Sequence, residues 1–245
     1  VIENHFILAT KTSKPQTGLL EPDDLSITYA CLQAWARDAT SNQQRRLFAF
    51  FNSGEHSGAS QAHRHIQFIA LEDMAKGGHQ GEWQLLIDTM TSKVALSPLL
   101  RRNPDLPFLH YATELPAQVS AEELHSRYMS LLGAAIDGSK GWSSGAELDK
   151  IELQGNRETA ISYNLGMTTH TLAIVPRRSE TALVTSAGET AGSISINGTI
   201  LGGTLMVKDD HEYSSLKEKP STLDGVLTNI GFPVSNDGVL DRTKL

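Results

Sequence analysis

The sequence predicts an α+β domain in which helices pack against an antiparallel β-sheet. Short apolar or alternating runs at 5–10, 47–51, 63–71, 160–168 and 171–176 have strand character, and the last two are joined by a tight turn at Thr169-His170. Two longer segments, 21–36 and 120–135, carry apolar residues at helical spacing. The 245 residues, 39% hydrophobic and 20% charged, suit one domain spanning 1–245 with a substantial buried core. No apolar run is long enough to cross a bilayer, so no membrane partner is expected. A net charge of −7 argues against a general nucleic-acid binder. The single cysteine, Cys31, excludes an intramolecular disulfide and a Cys-x-x-Cys zinc site. It fits a reducing compartment, the cytoplasm or the nucleus.

The first strand, His5 to Thr10, starts almost at the first residue, which is not Met; we expect a natural beginning that lies outside this chain. Lys11 closes that strand as a solvated end or as a phosphate contact. A Pro- and Gly-containing loop, 14–20, leads to Glu21-Pro22-Asp23-Asp24, where an early proline and acids at the positive dipole end open a helix. Leu25, Tyr29, Leu32 and Ala36 form its apolar face. After a polar turn at 40–46, Leu47 to Phe51 is a buried strand. Residues 72–82 read as a surface connection, 83–90 as a short helix and 98–107 as irregular structure with a solvent-facing Arg101-Arg102 pair. Phe108 to Ala112 is a further strand, and Ser120-Ala121-Glu122-Glu123 is a capping box. Residues 137–158, rich in Gly and Ser, form an internal flexible loop. Small and apolar residues at 192–207 suggest close packing or a broken strand, and Ser221 to Ile230 a short helix stopped by Gly231 and Pro233.

The chemistry concentrates in residues 52–67. Gly54 and Gly58 let the backbone approach a ligand, and successive N–H groups in such a loop form an anion-binding nest. Ser57, Ser60 and Gln61 add side-chain donors. Beyond the loop, His63, His65 and Gln67 alternate with Arg64, Ile66 and Phe68, so a strand stands the first three in a row on one face. A neutral imidazole attacks phosphorus near pH 7 without a metal to activate it. His65, with neighbours on both sides, is the expected nucleophile, His63 orients the site, and Gln67 donates a hydrogen bond but cannot shuttle a proton. A solvated strand face or a shared metal would also explain alternate histidines. Neither requires the Gly/Ser loop directly upstream. No protein ligand set for a metal is evident.

Asn52, the Ser57-Gly58-Ala59-Ser60-Gln61 loop and the His63-Arg64-His65-Ile66-Gln67 strand resemble the active-site signature of the fungal-type diadenosine tetraphosphate phosphorylases, or ATP adenylyltransferases. These belong to the histidine-triad (HIT) and galactose-1-phosphate uridylyltransferase superfamily. The resemblance implies a HIT-like fold and a preceding N-terminal region. It assigns Asn52, Ser57, Gly58, Ala59, Ser60 and Gln61 to substrate phosphates. Gln67 stands where hydrolytic branches carry a third histidine and marks a transferase. The resemblance continues through Ser162-Tyr163-Asn164-Leu165-Gly166-Met167-Thr168, Val175-Pro176-Arg177 and the segment from Ser195 to Pro233. It implies nucleotide contacts at Ser162, Tyr163, Asn164, Met167 and Thr168, although core packing alone would explain Met167. Thr169-His170 departs from the lysine expected there, and Arg177 either positions phosphate or holds a strand end.

The activity so implied is double displacement. His65 takes the α-phosphoryl group of a dinucleoside polyphosphate and releases ATP, and inorganic phosphate then takes the nucleotidyl group to give ADP. A main-chain carbonyl is expected on the other imidazole nitrogen. No covalent cofactor is expected; a divalent cation (Mg or Mn) would arrive with the substrate. The alternatives are a HIT-type hydrolase of dinucleoside polyphosphates or nucleoside phosphoramidates, and a non-catalytic nucleotide-binding protein.

Overall fold

The computed structural model describes residues 3–38, 45–74, 76, 83–140, 158–186 and 189–234. The loop expected at 137–158 and the connection at 72–82 lie largely outside these residues, as does most of the turn at 40–46. The elements run β1 (Phe6–Ala9), α1 (Pro22–Arg37), β2 (Leu47–Ser53), β3 (His65–Ala70), α2 (Leu71–Met74), α3 (Leu86–Thr89), β4 (Val94–Ala95), β5 (Arg101–Arg102) and β6 (Tyr111–Glu114). They continue with α4 (Ala121–Ser139), β7 (Ser162–Met167), β8 (Thr171–Arg177), β9 (Thr181–Ser186), β10 (Glu189–Ser195), α5 (Asp210–Glu218) and α6 (Thr222–Ile230). Eight strands form one sheet in the order β1-β3-β2-β7-β8-β6-β5-β4, and every pairing is antiparallel, as the sequence predicts. β9 and β10 form a separate hairpin.

Both faces of the sheet centre are covered, which is why β2 is apolar without alternation from Leu47 to Phe51 and buried at every residue to Ser53. On one face Ala49, Phe51, Ile66 and Phe68 pack with Leu25, Tyr29 and Leu32 of α1 and Leu124, Tyr128 and Leu131 of α4. On the other, Phe48, Phe50, Ile69 and Val175 pack with the β9–β10 hairpin, α6 and a 3-10 turn at Gly198–Gly202. Each fully buried large side chain contributes on the order of 2 kcal/mol. α1 is capped as expected, with Glu21 N–H donating to Asp24 Oδ2 at 2.8 Å. Ser120 Oγ accepts from Glu123 N–H at 3.2 Å at the start of α4.

Several expectations need correction. The strand placed at 108–112 lies at Tyr111–Glu114, because Phe108 is drawn into a single bridge with Pro233. The helix at 83–90 shrinks to the one turn of α3. Arg101 and Arg102 form a short strand instead of a solvent-facing pair: Arg101 meets Glu114 at 3.2 Å and Arg102 is buried. β9 and α5 are additions to the expected elements, and β10 overlaps the start of the broken strand suggested at 192–207.

His110 is fully buried. Its Nδ1–H donates to Phe108 O at 2.9 Å and its Nε2 accepts Asn103 N–H at 3.0 Å, so both nitrogens are satisfied only in the neutral ring. Burial pushes its pKa from 6.5 down to about 4, against the raising effect of the Phe108 carbonyl. Above pH 6.5 folded and unfolded chains both hold a neutral ring. Below it the unfolded chain takes up a proton that the folded one refuses until about pH 4, so stability falls with pH across that window. The loss comes to about 3 kcal/mol. Urea unfolding at pH 7 and pH 4.5 should show this fall in the wild type and a much smaller one in His110→Gln; equal falls would remove His110 as the cause.

Candidate active site

β2 ends at Ser53 and the chain turns through Gly54 and Gly58, at φ +88° and +74°. A Cβ at Gly54 would lie 2.4 Å from Ser162 Oγ, and one at Gly58 would lie 2.8 Å from Ile196 O, so space as well as dihedral demands glycine. Between them Glu55–Ser57 makes one 3-10 turn. That turn is fastened to β7: His56 N–H donates to Ser162 Oγ at 3.1 Å, and Asn164 Nδ2 donates to Ser57 O at 2.8 Å. Ala59, Ser60 and Gln61 then run exposed toward β3, and Gly58 is half-buried.

His65 and Gln67 stand in a row on one face of β3, as alternation predicts, whereas His63 lies ahead of the strand in a bridge with Pro15. Ile7 pairs with Gln67 and Ala9 with His65, which places the row beside edge strand β1. His65 is 6% exposed and its Nδ1 lies 2.8 Å from His63 O. A carbonyl can only accept, so Nδ1 carries the proton and Nε2 keeps its lone pair. The carbonyl expected on that nitrogen is therefore that of His63. The exposed His63 ring meets Thr10 Oγ1 at 2.9 Å. Gln67 Oε1 accepts from His5 Nε2 at 3.1 Å, which leaves its NH2 as the remaining polar group. Arg64 points to the opposite face, where its guanidinium meets Glu21 at 3.1 Å and Asp24 at 2.8 Å.

Under the loop lies a buried polar network. Asn52 Oδ1 accepts from Asn164 Nδ2 at 2.9 Å and from Gly198 N–H at 2.8 Å. Asn164 Oδ1 accepts from Arg177, whose other donors meet Ile196 O at 2.8 Å, Ser179 O at 2.9 Å and Ile230 O at 3.3 Å. Arg177 is 3% exposed, and burial pulls its pKa down to about 10, leaving it charged at neutral pH. It holds the strand end and does not present its charge to the loop. Asn52 Nδ2 is buried and finds no partner among the described residues.

The expected nucleotide contacts divide by face. Ser162 and Asn164 lie under the loop. Tyr163 and Met167, one residue out of phase, are fully buried in the helix-side core, where Tyr163 meets the Tyr128 hydroxyl at 2.9 Å. Thr168 and the Thr169-His170 turn lie at the far end of β7, about 20 Å along the strand from Ser162. There the Thr168 hydroxyl accepts the N–H groups of His170 and Thr171, at 3.2 and 3.1 Å. Tyr163, Met167 and Thr168 are therefore structural, and the missing lysine leaves no gap at the loop. Ser57, expected to offer its hydroxyl outward, is buried and donates to Gly54 O at 2.6 Å. Sequence reasoning missed His5, Thr10 and Gln16, the last being a buried side chain from the loop before α1. Among the described residues no group of three His, Cys, Asp or Glu is placed to hold a metal, and no helix is long and apolar enough to cross a membrane.

Residues 104–233 match the ATP adenylyltransferase C-terminal domain, and residues 1–81 the Ap4A phosphorylase N-terminal domain, Ap4A being diadenosine tetraphosphate. Two curated Saccharomyces cerevisiae proteins are similar. Protein APA1 is 28% identical over 243 residues, covering 95% of this chain and 66% of its own length. Diadenosine 5',5'''-P1,P4-tetraphosphate phosphorylase 2 is 29% identical over 248 residues, covering 95% and 67%. The chain thus spans about two thirds of the length of these relatives. The crystal structure of yeast Ap4A phosphorylase Apa2 superposes with a TM-score of 0.72 at 26% identity, over 94% of this chain and 69% of that one. Its complex with AMP gives 0.69 at 26% identity, over the same shares of each chain, and its complex with Ap4A agrees in fold at 0.72. With more than half of its residues matched by the one domain and its N-terminal part by the other, the chain belongs to the ATP adenylyltransferase (Ap4A phosphorylase) family, as its loop and strand led us to expect.

Proposed function

We propose that this chain is a nucleotidyltransferase that phosphorolyses diadenosine tetraphosphate to ATP and ADP through a nucleotidyl-histidine. The observation that carries the reading is the His65 ring, fixed through Nδ1–H to the His63 carbonyl, its Nε2 without a partner among the described residues, on a strand paired with the one that runs into the glycine loop. In the first step the Nε2 lone pair attacks the α-phosphorus. The N–P bond forms, the bond to the bridging oxygen breaks, and ATP leaves with that electron pair. The positive charge on the ring is met by the His63 carbonyl. In the second step an oxygen of inorganic phosphate attacks the same phosphorus, the N–P bond breaks, and ADP leaves a neutral ring behind.

The loop N–H groups near Gly58 to Gln61 would take the charge growing on the equatorial oxygens. Asn52 Nδ2, on the same sheet face as His65, is the buried donor left for a substrate oxygen. Gln67 supplies a donor without a titrating proton, which disfavours water as the acceptor. The partners are then a dinucleoside polyphosphate and inorganic phosphate on entry, and ATP and ADP on exit. A divalent cation would come with the polyphosphate. The net charge of −7 and the lone Cys31 support small nucleotides and a cytoplasmic setting.

Incubation with diadenosine tetraphosphate and labelled phosphate should put label into ADP beside unlabelled ATP. Label left in free phosphate beside AMP would mean hydrolysis, and an uncleaved dinucleotide would remove the activity from this chain. His65→Asn should lower turnover by at least about 10³-fold while leaving the fold intact. Gln67→His should shift part of the product from ADP to AMP; an unchanged ratio would mean that residue 67 does not choose the acceptor.

A further inference from the structure

We propose that Gln16 is a positioning residue whose carboxamide stands in for a peptide group between β2 and β3 and so sets where the His65 ring meets the phosphate loop. This deepens the function proposed above and rests on His65 being its nucleophile. β2 and β3 pair in register from Leu47 with Ala70 to Phe50 with Gln67. Two residues further the ladder would join Asn52 to His65 directly. It does not, because the Gln16 side chain lies between them. Its Oε1 accepts His65 N–H at 2.8 Å, and its Nε2 donates to Asn52 O at 2.8 Å and to His65 O at 3.3 Å.

One acceptor and two donors thus meet three main-chain groups, and the residue is 3% exposed. No other common side chain fills this role. Glutamate lacks the donors, methionine lacks both functions, and asparagine is one methylene short of spanning the two strands. The segment that carries Gln16 is itself held: Gln16 N–H donates to Ala62 O at 2.8 Å, and Arg64 N–H donates to Lys14 O at 2.8 Å. The strands therefore part by the width of one amide where β2 leads into the glycine loop and β3 presents the nucleophile. A direct Asn52–His65 ladder would bring the loop and the ring together and close the space the phosphate chain needs. Gln16 touches no reacting atom in this arrangement and acts through the backbone of His65.

Gln16→Met and Gln16→Glu, assayed beside the wild type across pH 5.5–8, test this. Gln16→Met keeps the length and removes the hydrogen bonds. Its kcat should fall about 10²-fold with KM for the dinucleotide little changed, as expected for a misplaced reacting group. In Gln16→Glu a carboxylate faces two carbonyls, whereas the protonated acid regains one donor and one acceptor. Its rate relative to wild type should therefore rise as pH falls, while the ratio for Gln16→Met stays flat. Lys14, Glu21, Asp24 and Arg64 beside this segment are ion-paired, and Glu158 accepts from the Thr17 hydroxyl; these groups, His63 and His65 are common to all three proteins, and Gln16→Met is the uncharged reference against which Gln16→Glu is read. A wild-type kcat in Gln16→Met, or a flat ratio for folded Gln16→Glu, overturns the proposal, and if the Met variant fails to fold the Glu profile decides. A wild type that leaves the dinucleotide intact overturns the function instead. Positioning is then read by NMR from the His65 Nδ1–H resonance, which the His63 hydrogen bond protects. Its loss in a folded Gln16 variant supports the proposal and its persistence overturns it.

Discussion

The buried guanidinium of Arg177 is the constraint on which the rest of the site depends. Desolvating such a charge costs several kcal/mol unless its donors are satisfied. Here each contact is an oxygen: Asn164 Oδ1 and the carbonyls of Ser179, Ile196 and Ile230. Ile230 is the last residue of α6, so the cation also sits at the negative end of that helix dipole. One side chain thereby locks β8, the turn after β10 and the end of α6 to one another. Through Asn164 the lock extends to Asn52 and to the carbonyl of Ser57. The loop keeps its shape because a charge that cannot be left unpaired lies beneath it.

That network explains why a sheet covered on both faces still has an open working region. The β9–β10 hairpin, α6 and the Gly198–Gly202 turn lie over β2, β7 and β8. β3 and edge strand β1 lie to one side of this cover, and there the row of His65 and Gln67 stands. Gly198 fits the boundary closely: a Cβ on it would lie 2.7 Å from Asn52 Oδ1 and 2.8 Å from a Phe50 ring carbon. The cover therefore approaches the loop to within one glycine, and its main-chain N–H supplies a hydrogen bond to Asn52 that a side chain there would displace.

The sequence made the α+β class, the strand row and the glycine loop legible because each depends on local periodicity or local dihedral demand. His65 and Gln67 follow from alternation alone, whereas His63 sits ahead of the strand, where the period no longer fixes its face. The same rule, applied to β7, separates Ser162 and Asn164 from Tyr163 and Met167, so alternate residues of the expected contact set belong to the core. The hairpin escaped notice because it buries only a few apolar residues, Ala182, Val184 and Ile194 among them, between small polar ones. Gln16 was illegible, and the choice between the two roles offered for Arg177 was left open, for another reason. Their roles exist only once distant segments meet, 36 positions apart for Gln16 and Asn52 and 53 for Arg177 and Ile230, and nothing in a Pro- and Gly-containing loop or at a strand end signals that meeting.

The placement of charge bears on the choice between transfer and hydrolysis. Arg64, inside the motif, is turned away and paired with Glu21 and Asp24, and Arg177 is committed to the network. The phosphate chain would then be held by backbone and amide dipoles and by exposed cations such as Lys11. Dipoles of this kind orient an anion without supplying a proton. The acceptor in the second step must therefore be nucleophilic as it arrives. Inorganic phosphate, anionic at neutral pH, meets that requirement; water needs a base. His65 itself cannot be that base while its Nε2 holds the nucleotidyl group and its Nδ1 proton is bound to the His63 carbonyl. Gln67 has no proton to exchange. Of the three motif residues only His63 is left to assist, and its ring is engaged with the Thr10 hydroxyl. On the proposed function, an intermediate in such a site would persist until an acceptor carrying its own charge arrives, which is the property phosphorolysis requires.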